Sequence, residues 1–480
     1  MSNGKRLHPV AIFFLFFSAL KELLVPLIAA FVFGRGASSW EFPFTVYFVV
    51  GGFLLLFLYG YLKWVTFIYE VTKEELKIKQ GIFIKKQRYI RRERIYSIDI
   101  TAGVLQRLFQ LVAVKIETAG GGNEPEVLLS AVTKQEALDI RKQLLDGEKE
   151  DQEIHSETER SELRPKKAWI LPKNHLFLAA ITSSGVGLAF LALMAIVTQL
   201  ENFLSEQLLI NSFGYLFQSS IFLMGLLVIV LVILSWIVSI VGTLLKYGGF
   251  TIKKNGDEIE ITRGILEKRQ LTLSVTRITA IRVVESPLRQ PLGLATVYVE
   301  SAGGGSKDEQ LSTVLFPLIK KRELLTHLQD VVPDYAFEYP IQSLPSRSKK
   351  RYIIRKVVPG AIIAAVIGYF IPFGYVIAVS ILTFAFLLGS LQYKDAGFGR
   401  NVSFLWISYR TISKTLVILP KQRIQALELK QSIVQKFRAL FTIKVSILTS
   451  IIGKSFRAID VSEEQKEEIL SWYSYEKERG

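Results

Sequence analysis

Ile78-Lys79-Gln80-Gly81, Arg94-Ile95 and Leu111-Val112-Ala113-Val114-Lys115-Ile116 mark out a stretch, residues 78–119, that the chain contains three times. It aligns without a gap to residues 261–302 and 407–448. The second copy reads Ile261-Thr262-Arg263-Gly264, Arg277-Ile278 and Leu294-Ala295-Thr296-Val297-Tyr298-Val299 at the same positions. The third reads Ile407-Ser408-Tyr409-Arg410, Arg423-Ile424 and Leu440-Phe441-Thr442-Ile443-Lys444-Val445. Lys85, Lys268 and Lys414 share one position. After the arginine the apolar residues step by two or three: Ile95, Ile98, Ile100; Ile278, Ile281, Val283; Ile424, Leu427, Leu429. Such alternation predicts strands with one buried face. A long period without gaps means three copies of one domain.

Working outward, each copy is extended into several short strands closed by one helix. In the first copy Thr133-Lys134-Gln135-Glu136 has capping-box spacing, and Gly147 stands where a helix stops. The second copy's terminal helix is expected from about Pro317, and the third's from Ser462. Each copy is also preceded by a pair of apolar runs: 10–33 and 43–62, 176–199 and 215–245, 357–370 and 373–391. A span needs roughly 20 apolar residues. The first run is longer than a signal-peptide core and is followed by a second, so it is read as retained.

The expected order is therefore a membrane hairpin (10–62), a β-domain (63–147), a charged linker (148–172), a hairpin (173–246), a β-domain (247–330), a proline-bearing linker (331–351), a hairpin (352–392) and a β-domain (393–480). That is six transmembrane helices and three all-β domains, each with a C-terminal helix. The short loops inside the hairpins hold a single Lys or Arg, Arg35. The positive-inside bias then places both termini and all three β-domains in the cytoplasm, under the cell membrane.

Bulk composition agrees. Half of the 480 residues are apolar, yet 21% are charged, and the net charge is +16. In a soluble protein that charge would suggest nucleic acid; beside long apolar runs it points to anionic lipid and away from nucleic acid. Cysteine is absent and the four histidines are far apart in sequence, which leaves no thiolate site, no cysteine nucleophile and no expected metal centre.

The second copy continues as Ser286-Pro287-Leu288-Arg289-Gln290-Pro291-Leu292-Gly293-Leu294-Ala295-Thr296-Val297-Tyr298-Val299-Glu300-Ser301-Ala302-Gly303-Gly304. This resembles the signature of the bacterial pleckstrin-homology-like (PH-like) family of membrane proteins. The Gly264-x-Leu266 turn, the Arg277-Ile278 strand start and the closing helix fit the same family. The resemblance covers essentially the whole chain, strongest in the second copy and weakest in the third, where Arg410 replaces the turn glycine and Thr449-Ser450-Ile451-Ile452-Gly453 replaces the glycine loop. It implies PH-like β-barrel or sandwich domains, two orthogonal antiparallel sheets capped by a helix. It also implies a membrane protein that works beside a shorter, single-domain relative, with a part in envelope stress or resistance to membrane-active peptides. It supplies no lipid ligand and no cofactor.

Three groups of residues stand out as candidate sites. The glycine loops 120–122 and 303–305 lie outside any strand-to-helix phosphate loop, so hairpin turns account for them. Lys85, Lys86, Arg88, Arg91 and Arg92, with Lys268 and Arg269 in the second copy and Lys349, Lys350 and Arg351 ahead of the third hairpin, form basic rows. Held near anionic lipid, each would gain about 1 kcal/mol; the plainer reading is a solvated face with ordinary inner-leaflet enrichment. Lys21 and Glu22 sit in mid-span, and as helix neighbours about 100° apart they cannot pair well with each other. The other five spans hold no matching charge, so the pair marks either a helix contact, for which a second protein is an attractive source, or a translocation or peptide-sensing site. Nothing supports catalysis.

The sequence thus suggests a non-enzymatic interaction platform at the membrane, within a hetero- or homo-oligomer. The alternative is a lipid or peptide transporter gated by the β-domains, which needs a polar path. Only Lys21, Glu22 and scattered hydroxyls (Ser183, Ser184, Ser219, Ser220) offer one.

Overall fold

The computed structural model describes residues 4–20, 42–72, 74–118, 127–145, 168–183, 185–200, 221–301, 312–370, 374–449 and 453–474. Lys21, Glu22, the glycine loops 120–122 and 303–305, and most of the charged linker lie outside the described residues.

The first repeat contains β1 (Lys5–Arg6), β2 (Ile68–Val71), β3 (Glu75–Gln80), β4 (Lys86–Arg91), β5 (Ile95–Ala102), β6 (Leu111–Thr118) and β7 (Val127–Thr133). The second contains β8 (Ala168–Ile170), β9 (Thr251–Asn255), β10 (Glu258–Arg263), β11 (Lys268–Ser274), β12 (Ile278–Glu285), β13 (Leu294–Ser301) and β14 (Thr313–Lys320). The third contains β15 (Gln342–Ser343), β16 (Gly397–Arg400), β17 (Phe404–Arg410), β18 (Lys414–Pro420), β19 (Ile424–Lys430), β20 (Phe441–Ile447) and β21 (Lys454–Val461). Helices Lys134–Leu145, Leu324–Val331 and Glu463–Tyr473 close the three repeats.

The uneven apolar step after each arginine has a structural cause. The ladder shifts register between Ile95 and Ser97, between Ile278 and Ala280, and between Ile424 and Ala426. A β-bulge at one shared position inserts the extra residue, so the next inward residue comes three places on. Ile95, Ile98, Ile278 and Ile281 are all buried as a result.

The chain falls into two units. The first is Met1–Lys166 with Glu260–Thr262 and Leu266–Ser274. Here β1-β2-β3-β4 form one sheet, and β5, β6 and β7 a second. Tyr69, Leu76, Ile95, Ile116, Leu129 and Leu144 fill the core between them. Strand β11, from the second repeat, pairs antiparallel with β5, Ile98 facing Thr272 and Thr101 facing Arg269. The second unit is Lys167–Ile259, Arg263–Ile265 and Val275–Gly480. In it β14-β13-β12-β18-β17-β16-β15 form one continuous sheet of seven strands, and β19-β20-β21 a smaller one. Strand β12 of the second repeat pairs with β18 of the third, Ile281 facing Ile418. This is the pairing of β5 with β11 repeated at equivalent positions. The second and third repeats are therefore not separate beads: their joint is a strand ladder.

Two expectations are corrected. Residues 331–351, expected as a linker, are packed structure. Tyr335 is buried and donates from its hydroxyl to the Ile278 carbonyl at 3.3 Å. Phe337 stacks near Phe404 and Trp406, and β15 extends the seven-stranded sheet. Pro317 does not open a helix. It lies inside β14, where the ladder to β13 is irregular and a missing N–H is tolerated, and the helix begins at Leu324.

Three described helices are long and apolar enough to cross a membrane: Val228–Tyr247, Ser346–Phe370 and Gly374–Asp395. Among the described residues, then, three of the six expected spans are seen. The first run is described only as helix Ala11–Leu20, and the second offers the shorter apolar stretch Val50–Thr66. The run 176–199 is split into Lys173–Ile181 and Val186–Leu200. At the break the Thr182 hydroxyl donates to the Leu178 carbonyl and Ser183 Oγ accepts from the Gly185 N–H, local bonds that compete with a continuing helix. The third hairpin is the tightest. A Cβ on Gly389 would lie 2.8 Å from Ile353 Cα, and one on Gly360 3.1 Å from Ala385 Cβ, so small residues set the approach of the two helices.

Candidate functional site

The third β-domain is fastened to its membrane hairpin by one carboxylate. Ser348, Arg351, Tyr352 and Arg355 recur at three- and four-residue spacing and so share a face at the start of helix Lys349–Phe370. Asp460, fully buried at the end of β21, meets that face. Arg351 Nε lies 3.2 Å from Oδ1 and Arg355 Nη2 lies 3.1 Å from Oδ2. Gln435 Nε2 donates to Oδ1 at 2.7 Å. Ser348 Oγ donates to the Asp460 carbonyl at 2.8 Å, and the Tyr352 hydroxyl to the Ile459 carbonyl at 3.0 Å. The equivalent of Gln435 in the second repeat is Arg289, which has the same task. It donates to Thr182 Oγ1 at 3.0 Å and to the Ala179 carbonyl at 3.1 Å, both at the start of the second hairpin.

Beside Asp460 lies a cavity of about 410 Å³, within the usual size range of ligand pockets. Arg355, Lys356, Arg410 and Arg457 line it, with Gln392 and Tyr409, and no carboxylate does. Arg410 is engaged with Asp395 at 2.5 Å, and Arg355 with Asp460. Among the described residues neither Lys356 nor Arg457 has a carboxylate partner. Arg355 and Lys356 immediately precede an apolar run, so the cavity opens where that helix leaves the polar region. Its chemistry suits a phosphate-bearing group.

The second and third repeats also share a buried ion cluster. Glu300, fully buried on β13, is 2.5 Å from Arg282 Nε and 2.7 Å from Lys454 Nζ. Burial pushes the Lys454 ammonium below its ordinary value, with Glu300 opposing. In the first unit the equivalent of Arg282 is Asp99, and Arg269 lies 2.5 Å from its carboxylate.

The basic residues singled out in the sequence divide by geometry. Lys85, Lys86, Arg88, Arg91, Lys268, Lys349 and Lys350 are exposed, and Arg92 is half-buried. Arg269 and Arg351 are not available to lipid: both are largely buried against carboxylates, Asp99 and Asp460. Lys414 pairs with Asp395 at 3.2 Å. Sequence reasoning missed Asp460, Arg457 and the Arg355-Lys356 pair as a group. The visible signal was the four-residue spacing of Arg351 and Arg355; their convergence with β21 depends on chain closure. His175 and His327, distant in sequence, do line one cavity of about 190 Å³ with Glu323. Among the described residues no three ligand-type side chains form a metal site.

A family model for the bacterial PH domain matches this chain three times, over residues 15–148, 188–331 and 358–477. The transmembrane protein YdbT of Bacillus subtilis (strain 168) is 34% identical over 495 residues, covering 100% of both chains.

Proposed function

This chain belongs to the bacterial PH domain family, and we propose that, as a member, it is a non-enzymatic platform at the cell membrane. Three PH-like repeats lie on the cytoplasmic side, held by the membrane-spanning helices that precede them, with both termini inside. They gather a membrane partner, either a shorter single-domain relative or further copies of the chain, together with anionic lipid. Envelope stress and resistance to membrane-active peptides are the setting this reading favours.

The observation that carries it is the ladder between β12 and β18. It fixes the spacing of two repeats, so weak contacts made by each can sum. The basic cavity of the third repeat supplies one such contact: Lys356 and Arg457 would hold the phosphate of a lipid headgroup. A gated transporter would need a polar path through the helices. Among the described residues the hydroxyls of Ser183, Ser239 and Thr243 instead bond to one another and to their own helix.

The test is gentle purification of the tagged full-length protein from its native membrane, followed by mass spectrometry of bound proteins and lipids. A stoichiometric second protein, or anionic lipid whose amount falls in Lys356→Glu and Arg457→Glu, supports the platform. A protein that comes out alone and lipid-free, yet moves lipid or peptide in reconstituted vesicles, overturns it.

A further inference from the structure

Outside the membrane helices, large apolar side chains are exposed at the same two places in every repeat. One is the hairpin tip leading into β4, β11 and β18, which carries Phe83, Ile265 and Ile412; Phe83 is 96% exposed. The other is the short helix or turn after β5, β12 and β19, which carries Leu108, Leu292 and Phe437; Phe437 is 86% exposed. Single exposed apolar residues are ordinary, but their return in the same two loops of every repeat asks for a common cause.

Both places are tied to the ends of the membrane helices. At the first, the Ile265 N–H donates at 2.9 Å to the carbonyl of Leu245, in the last turn of helix Ile221–Tyr247. Gln392, in the last turn of helix Gly374–Asp395, donates from Nε2 to the Thr411 carbonyl at 2.8 Å. At the second, Arg289 reaches Ala179 on the helix that leads into the second hairpin. Arg347, just ahead of helix Lys349–Phe370, donates to the Ala439 carbonyl at 3.1 Å, and Arg438 donates back to the Arg347 carbonyl at 3.2 Å. In the first repeat Gln106 donates to the Ser130 carbonyl while the His8 N–H donates to Ala131, next to the start of helix Ala11–Leu20. Five of the six tips therefore stand at the level where helices pass from polar to apolar surroundings; Phe83 is assigned there by its equivalence to the hairpin tips of the other two repeats.

An exposed cation stands close to four of the six tips: Lys85 and Lys268 follow the first by two or three residues, and Arg107 and Lys436 precede the second by one. At the other two, Lys414 and Arg289 are engaged within the fold, with Asp395 and with the start of the second hairpin. An apolar tip backed by a basic residue is the composition of an interfacial anchor: the apolar group enters the acyl boundary and the cation stays among the headgroups.

We propose that each repeat seats these two tips in the adjoining leaflet, so that the bilayer itself is a binding surface for all three β-domains. This goes beyond the platform reading and needs only that the helices cross a membrane. A bilayer is the one partner present equally at three equivalent sites.

The chain has no cysteine, so single labels are simple to place. Phe83→Cys, Leu108→Cys, Ile265→Cys, Leu292→Cys, Ile412→Cys and Phe437→Cys would each carry a nitroxide in the full-length protein, reconstituted in phosphatidylcholine–phosphatidylglycerol vesicles. Val402→Cys is the control: Val402 is 88% exposed, but it lies at the opposite end of β17 from the Ile412 tip, roughly 20 Å away at strand spacing. The expected result is several-fold less collision with an aqueous nickel chelate at the tips than at Val402, and more collision with oxygen, which concentrates in lipid. Tips as accessible to nickel as Val402 would overturn the proposal. So would tips shielded from both reagents, the sign of a covering protein. Either outcome leaves the search for a co-purifying partner unaffected, so the two readings fail separately.

Discussion

Asp460 takes a left-handed backbone conformation, φ 63°, inside a fully buried site. Asp and Asn tolerate that conformation better than most residues. Asp460→Asn therefore keeps the backbone and removes the charge. It leaves Arg351, largely buried, and Arg355, partly exposed, without their carboxylate. Removing one partner of a buried ion pair costs about 3–5 kcal/mol, and exposure of Arg355 draws the value to the low end. Thermal unfolding in detergent should show this loss, and adding Arg351→Met should recover part of it. A second left-handed position recurs in all three repeats as Gln110, Gly293 and Ala439, with φ of 55°, 64° and 47°. Glycine announces the turn in one repeat alone, so only the alignment reveals the other two.

Elements were legible where a local rule applied. Glu136 N–H bonds Thr133 Oγ1 at 3.2 Å, and Gln465 N–H bonds Ser462 Oγ at 3.2 Å, as capping spacing predicts. The uneven apolar step that the bulge produces was legible too. The strand around Pro317 was not, because a proline near a helix start and a proline in a bulge look alike in one dimension. The third hairpin depends on contact between its two helices. Gly389→Leu would push a side chain into Ile353 and Tyr352, where there is no room. Overpacking of this kind costs ~1–3 kcal/mol. The expected result is a lower unfolding temperature and a longer distance between spin labels on the two helices.

At the scale of the molecule, the joint between the second and third repeats decides how they unfold. Val417 sits in β18 with Arg282 of β12 on one side and Ile407 of β17 on the other. Val417→Pro removes a ladder donor from a central strand. Because β12 and β18 share one sheet, amide-exchange protection should fall together in β13 and β20. Protection kept in β13 while β20 loses it would mean that the second and third repeats fold independently. The outer strands carry a guard as well. Strand β4 pairs, among the described residues, only with β3, and it bears Lys86, Arg88 and Arg91, the charges that discourage further strand pairing.

The sequence alone determined the threefold repeat, the presence of apolar helices beside β-domains, the uneven apolar step after each arginine and the helix caps at Thr133 and Ser462. All of these depend on residues close together in the chain or on comparing one copy with another. Tertiary structure decided the rest: the ladder that joins the second and third repeats, the folding of residues 331–351 around Tyr335, and the meeting of Asp460 with Arg351 and Arg355. It also turned Arg269 and Arg351 from apparent lipid contacts into buried ion pairs. The physical reason is that an exposed basic residue and a buried, paired one carry the same letter. Only the distant carboxylate that folding brings beside it, Asp99 or Asp460, tells them apart.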